Sequence, residues 1–126
     1  MKRETPVLTD QELRLLKIIW RLGHATVREV YLDLLKERKV AYTTVLTMMG
    51  VLERKGHVQK KAGEKAYVYT AAQPESKVMA RMVSEFVTRV FNGSRQPLLL
   101  HLLGDRSTSE EDLAEAERLL KSRRKK

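Results

Sequence analysis

The chain contains no cysteine. Disulfide frameworks, cysteine-ligated zinc, thiol catalysis and thiol redox sensing are excluded with it. It has no run near the ~20 uninterrupted apolar residues that a membrane-spanning helix needs. Its opening, Met1-Lys2-Arg3-Glu4-Thr5-Pro6, leads into a charged periodic segment and not an apolar stretch, so no secretory signal is expected. No glycine-rich phosphate loop, nucleophile elbow or HExxH motif occurs. The three histidines, His24, His57 and His101, fall in a turn, at a strand start and in an apolar helix, without metal-ligand spacing. Glu110-Glu111-Asp112 are acids of the kind a first helical turn favours through the macrodipole, not a paired-acid centre. The expectation is a cytoplasmic protein with no catalytic residues, no metal, no cofactor and no small-molecule substrate.

What is there begins with charge. The 126 residues hold 25 Lys+Arg against 16 Asp+Glu, a net +9, which fits a polyanionic partner such as nucleic acid. Residues 1–73 carry 14 basic and 8 acidic side chains, net +6. Residues 74–126 carry 11 and 8, but five of those 11 sit in the last six positions, and without them this half is net −2. The first half therefore faces the polyanion, and the second half has another task. The length allows one compact domain or two very small ones.

Three helical segments come first. Thr9-Asp10-Gln11-Glu12 is a capping box followed by Leu13, Leu16, Ile19, Trp20 and Leu22 at helical spacing, with Gly23 as a stop. Thr26-Val27-Arg28-Glu29 opens a second helix to about Leu35, with Val27, Val30, Tyr31 and Leu34 on one face. A third runs from near Thr43 to about Lys55, its buried face Val45, Met48, Met49 and Leu52, and Gly56 stops it. The period then changes. Val58-Gln59-Lys60-Lys61 and Ala66-Tyr67-Val68-Tyr69, separated by Ala62-Gly63-Glu64-Lys65, predict a hairpin, and Pro74 marks the boundary between residues 1–73 and 74–126.

Three helices and a basic hairpin in this order predict a mainly α fold that begins with a winged helix-turn-helix. In that arrangement the third helix enters the major groove and the hairpin tip meets phosphates. The helix face opposite its core carries Thr43, Thr44, Thr47, Gly50, Val51 and Arg54. A threonine offers a hydroxyl to a phosphate or base edge and a methyl to thymine, and Arg54 neutralises a phosphate. Lys60, Lys61 and Lys65 surround the glycine turn of the wing. Double-stranded operator DNA is the expected partner, with Thr43, Thr44, Thr47, Arg54, Lys60, Lys61 and Lys65 as its contacts. A basic winged-helix adaptor for RNA or a protein partner is the alternative.

The second half predicts three more helices. Residues 75–91 place Met79, Met82, Val83, Phe86, Val87 and Val90 at helical spacing before Asn92-Gly93. A short apolar helix spans about Gln96 to Leu103, and Thr108-Ser109-Glu110-Glu111 caps a last helix to about Ser122. The basic end Arg123-Arg124-Lys125-Lys126 is expected to be disordered. Roughly 50 residues in three helices are too few to bury such a row of apolar side chains alone. A homodimer is therefore expected, with Met79, Met82, Phe86, Val90, Leu99 and Leu102 in its interface.

Ala41-Tyr42-Thr43-Thr44-Val45-Leu46-Thr47 followed by Leu52-Glu53-Arg54-Lys55-Gly56 resembles the penicillinase-repressor family, the BlaI/MecI/CopY type of bacterial winged-helix repressors. Leu8-Thr9-Asp10-Gln11-Glu12 with Ile19-Trp20, Thr26-Val27-Arg28-Glu29-Val30, Tyr67 with Tyr69, and Gly93-Ser94-Arg95 through Leu100 are similar to the family as well. The resemblance covers about residues 7 to 121. It implies a homodimer on a pseudo-palindromic operator that blocks transcription of antibiotic-resistance or stress genes. It also implies release when a membrane-bound sensor protease cuts the short apolar helix, here at the bond His101–Leu102, where His101 stands in place of the family's usual Asn. Two departures matter. Gly50 and Val51 occupy positions where the family often has a polar residue and then Arg, so one DNA contact is missing and the operator need not match the family consensus. The paired cysteines of the copper-responsive branch are absent, which excludes copper sensing by that route.

Overall fold

The computed structural model describes residues 8–125. The first helix, α1 (Asp10–Leu22), starts from a capping box: the Thr9 hydroxyl accepts the Glu12 amide at 3.1 Å, and the Thr9 amide donates to the Glu12 carboxylate at 3.1 Å. Gly23 ends it with φ +86°, its N–H donating to the Ile19 carbonyl at 2.7 Å, a left-handed backbone that a side chain would strain. The second helix, α2 (Val27–Leu35), has the same box between Thr26 and Glu29. The third, α3 (Tyr42–Arg54), begins after Ala41.

Strands β1 (Val58–Ala62) and β2 (Tyr67–Ala71) pair antiparallel, from Val58↔Ala71 to Ala62↔Tyr67. The hairpin is thus displaced from the expected strands Val58–Lys61 and Ala66–Tyr69. The Gly63 N–H donates to the Ala66 carbonyl at 2.9 Å, which holds Ala66 inside the turn and lets Ala62 join the ladder. A Cβ on Gly63 would lie 2.5 Å from that carbonyl oxygen, so the turn requires glycine there. Farther on, Tyr69 exchanges backbone hydrogen bonds with Ala25 at 2.8 and 3.0 Å, and Ala72 donates to His57, which carries β2 past its expected end.

The core of this first unit is Leu15, Leu16, Ile18 and Ile19 of α1 packed on Val30 and Leu34 of α2, on Val45, Met49 and Leu52 of α3, and on Val58 and Tyr69 of the hairpin. Its members on α1 differ from expectation. Leu15 and Ile18 are buried, Leu13 and Trp20 are half-buried, and Leu22 is exposed. α1 packs against α2, α3 and β2, so its apolar face must be wider than one stripe. Trp20 lies at the rim because its indole N–H needs an acceptor, found in the Gln73 carbonyl at 3.0 Å. Met48 of α3 is likewise half-buried.

The chain divides into two compact units, one up to Met79 and the other from Ala80, so helix α4 (Glu75–Phe91) begins in the first and continues in the second. Within the second unit, Asn92 and Gly93 take φ +54° and +87°, and the Gly93 N–H donates to the Val87 carbonyl at 3.0 Å, ending α4. Helix α5 (Gln96–Gly104) starts with a proline in its first turn, where no intrahelical amide partner is lost. Helix α6 (Glu110–Arg124) is capped by Ser109 and Asp112. That corrects the expected box by one residue, since the Thr108 hydroxyl is engaged with the Leu102 carbonyl. The expected disorder of the basic end is also corrected: Arg123 and Arg124 are helical, where cations complement the C-terminal end of the macrodipole. Met1 to Val7, which carry the expectation about a secretory signal, and Lys126 of the basic end lie outside the described residues.

Candidate nucleic-acid interface

With 3.6 residues per turn, the buried Val45, Met49 and Leu52 fix which way α3 faces. Thr43, Thr47, Gly50 and Arg54 project opposite the core. Thr44 and Val51 fall on one flank, Leu46 and Glu53 on the other. Thr43, Thr44, Thr47 and Arg54 are all exposed, while Gly50 and Val51 are half-buried. Tyr42, at the start of the helix, packs edge-on against Tyr31 with ring centres 5.4 Å apart, anchoring α3 to α2.

The other end of α3 is anchored by charge. Lys55, its C-cap residue, donates from Nζ to both Glu12 oxygens at 2.9 and 3.1 Å. Glu12 is buried, and burial alone would raise its pKa. The Lys55 hydrogen bond, the Thr9 amide and the charges of Lys55 and His57 outweigh that, so the carboxyl is held below its ordinary range. One residue thereby closes the α1 capping box and ties α1 to the end of the exposed helix.

The three wing lysines do not sit alike. Lys60 is paired with Tyr69 in the ladder, so it shares the hairpin face of the core. Its ammonium lies 3.6 Å from Glu53 on the α3 flank and 4.3 Å from the centre of the Tyr67 ring. Lys61 pairs with Val68 on the opposite face, and Lys65 is in the turn. The structure thus brings Lys60 to α3 and directs Lys61 away from it. Of the two groups that position Lys60, Tyr67 is brought near by the strand register, whereas Glu53, on α3, had no signal in the sequence that tied it to Lys60. Gln11, Arg14, Arg38 and Lys39 gather near the other flank of α3 from two separate segments, and their grouping was not legible in sequence.

In the second unit, α5 and α6 bury none of their residues. Val87 is buried and Met82 is half-buried, whereas Phe86, Val90, Leu99 and Leu102 are 39–57% exposed. Met79, at the end of the first unit, is half-buried. Leu99 and Leu103 of α5 and Leu113, Ala116 and Leu120 of α6 line an open apolar groove of about 470 Å³. His101 is exposed on α5 with its ring 6.3 Å from that of Phe91. Among the described residues no group of acidic and histidine side chains is arranged to hold a metal ion, and no helix is long and apolar enough to cross a membrane.

Comparison with known proteins places this geometry. The sequence profile of the penicillinase repressor family matches residues 8–122. The chain is 27% identical over 118 residues to the penicillinase repressor of Bacillus licheniformis, covering 94% of this chain and 92% of that one. It is 32% identical over 107 residues to the transcriptional regulator BlaI of Mycobacterium tuberculosis (strain CDC 1551 / Oshkosh), covering 83% and 78%. Among solved structures it resembles the monomeric form of Bacillus licheniformis BlaI in complex with the blaP half-operator, with TM-score 0.51 and 29% identity over 60% of this chain and 92% of that one. Residues 8–71 thus form a winged helix-turn-helix, and the chain belongs to the penicillinase repressor family.

Proposed function

We propose that this chain is a transcriptional repressor that binds a pseudo-palindromic DNA operator as a homodimer, with α3 in the major groove and the wing on the phosphate backbone. The observation that carries the reading is the exposed row Thr43, Thr47 and Arg54 on a helix held at both ends, with the cationic wing braced against its flank. A helix fixed in this way presents hydroxyls, methyls and one guanidinium to base edges and phosphates without having to be ordered first. Thr44, Lys61 and Lys65 are the remaining proposed contacts. The relatives are repressors and not enzymes, and the same holds for the role proposed here, with a cytoplasmic location and no small-molecule substrate.

Residues 1–73 are assigned to DNA and 74–126 to dimerisation. Met79, Met82, Phe86, Val90, Leu99 and Leu102 form the proposed interface, because α5 and α6 leave their leucines in water in a single copy. Release by a membrane sensor protease at the His101–Leu102 bond fits this arrangement. The bond lies inside α5, so cutting it would break that helix and separate Leu98, Leu99 and Leu100 from Leu102, Leu103 and α6. The test is fluorescence anisotropy with three probes: an inverted repeat from the DNA upstream of the gene, a random duplex and a structured RNA. Tight binding to the repeat alone supports the repressor. Preference for RNA would favour the adaptor reading.

A further inference from the structure

The flank of α3 that carries Thr44 faces away from the wing. There Gln11, Arg14, Arg38, Lys39, Thr44 and Met48 border an open cleft of about 310 Å³ between the start of α1 and the turn that joins α2 to α3. Arg38 and Lys39 are exposed, and the Arg14 guanidinium, 45% exposed, is held 3.2 Å from Glu37. Three cations thus meet one neighbouring carboxylate, and Gln11 and Thr44 add neutral hydrogen-bonding groups. A guanidinium presents five donors, so the bond to Glu37 steadies Arg14 without exhausting it.

Resting on the DNA-binding reading, we infer that this cleft takes a backbone phosphate of the operator strand opposite the one the wing meets. A helix lying in the major groove, about 12 Å wide, has a sugar–phosphate backbone on each side. Lys60 marks one side through Glu53, and the cleft marks the other through Thr44, with Thr47 and Arg54 between them. The bound group is a phosphodiester. The chain then grips both strands around its recognition helix, which fixes the helix in the groove without reading sequence.

The test uses the full chain and a random-sequence duplex, since phosphate binding does not depend on sequence. Arg14→Gln and the double variant Arg38→Gln/Lys39→Gln are compared with Lys77→Gln, an exposed charge on α4 outside the cleft. The substituted side chains are surface groups, and thermal unfolding checks that each variant keeps its fold. Each phosphate left without its cation should reduce the slope of log affinity against log salt by about 0.9. The expected result is a shallower slope in both cleft variants and an unchanged slope in Lys77→Gln. Slopes equal to wild type in the cleft variants, or an equal reduction in Lys77→Gln, overturn the inference. Replacing chloride by inorganic phosphate at constant ionic strength should weaken duplex binding by the wild type, and less so in the cleft variants. Competition by phosphate that is equally strong in wild type and in the cleft variants would place the shared anion site elsewhere, and would also overturn the inference. A wild-type chain that binds no duplex fails the DNA-binding reading itself, whereas binding with wild-type slopes in every variant fails only the cleft.

Discussion

Two residues show how position along one helix would divide the proposed work of recognition. Thr47 lies in the middle of the exposed face of α3, whereas Thr44 lies at its edge beside Gln11 and Arg14. Thr47→Ala should therefore cost about 1–3 kcal/mol of discrimination between operator and random duplex, and Thr44→Ala should cost less, both read by fluorescence anisotropy. The double variant Lys60→Ala/Lys61→Ala should instead weaken all duplexes alike and flatten the salt dependence. Glu12 acts on stability. Its folded pKa is depressed, so its contribution is present above the unfolded value of about 4.5 and is lost as the pH falls through the lower folded value. Glu12→Gln should lower stability at neutral pH by about 1–3 kcal/mol, because the Lys55 ammonium loses the partly buried negative charge and one of the two oxygens it donates to. It should also remove part of the acid limb of a stability-versus-pH curve measured by urea unfolding. An acid limb identical to wild type would contradict that role.

At the scale of elements, local chemistry was the legible part. Thr9 with Glu12 and Thr26 with Glu29 are boxes spelled out within four residues, and each does start a helix. What escaped depends on partners distant in sequence. Leu15 and Ile18 are core because three other elements surround α1, a fact that no single-face periodicity contains. The hairpin ends where it does because Gly63 meets Ala66 and Tyr69 meets Ala25. The exposed threonine face of α3 could be read from its spacing alone, yet the Lys60–Glu53 and Lys60–Tyr67 interactions needed the strand register. Gly63→Ala tests that register directly. With a Cβ placed 2.5 Å from a carbonyl oxygen the turn must open, at a cost of about 1–3 kcal/mol. The unfolding midpoint should fall, and binding to all duplexes should weaken as Lys60 is displaced. A variant as stable as wild type would show that the turn is not the constraint described.

At the scale of the molecule, the two units differ in how well each satisfies itself. The first buries a continuous core around α1, whereas α5 and α6 keep no residue buried in a single copy. Apolar side chains such as Leu99 and Leu102, more than half exposed, are the strongest argument for a second copy. Phe86→Glu would place a carboxylate in the proposed interface and should yield monomers with much weaker operator binding, seen by sedimentation velocity.

The most direct test of the whole account is a stoichiometric anisotropy titration of the wild-type chain on an inverted-repeat duplex, with a random duplex beside it. Two winged helices carried by one dimer should saturate the repeat at two chains per duplex, about 10³-fold or more tighter than the random sequence. Saturation at one chain per duplex, or equal affinity for both duplexes, would contradict it.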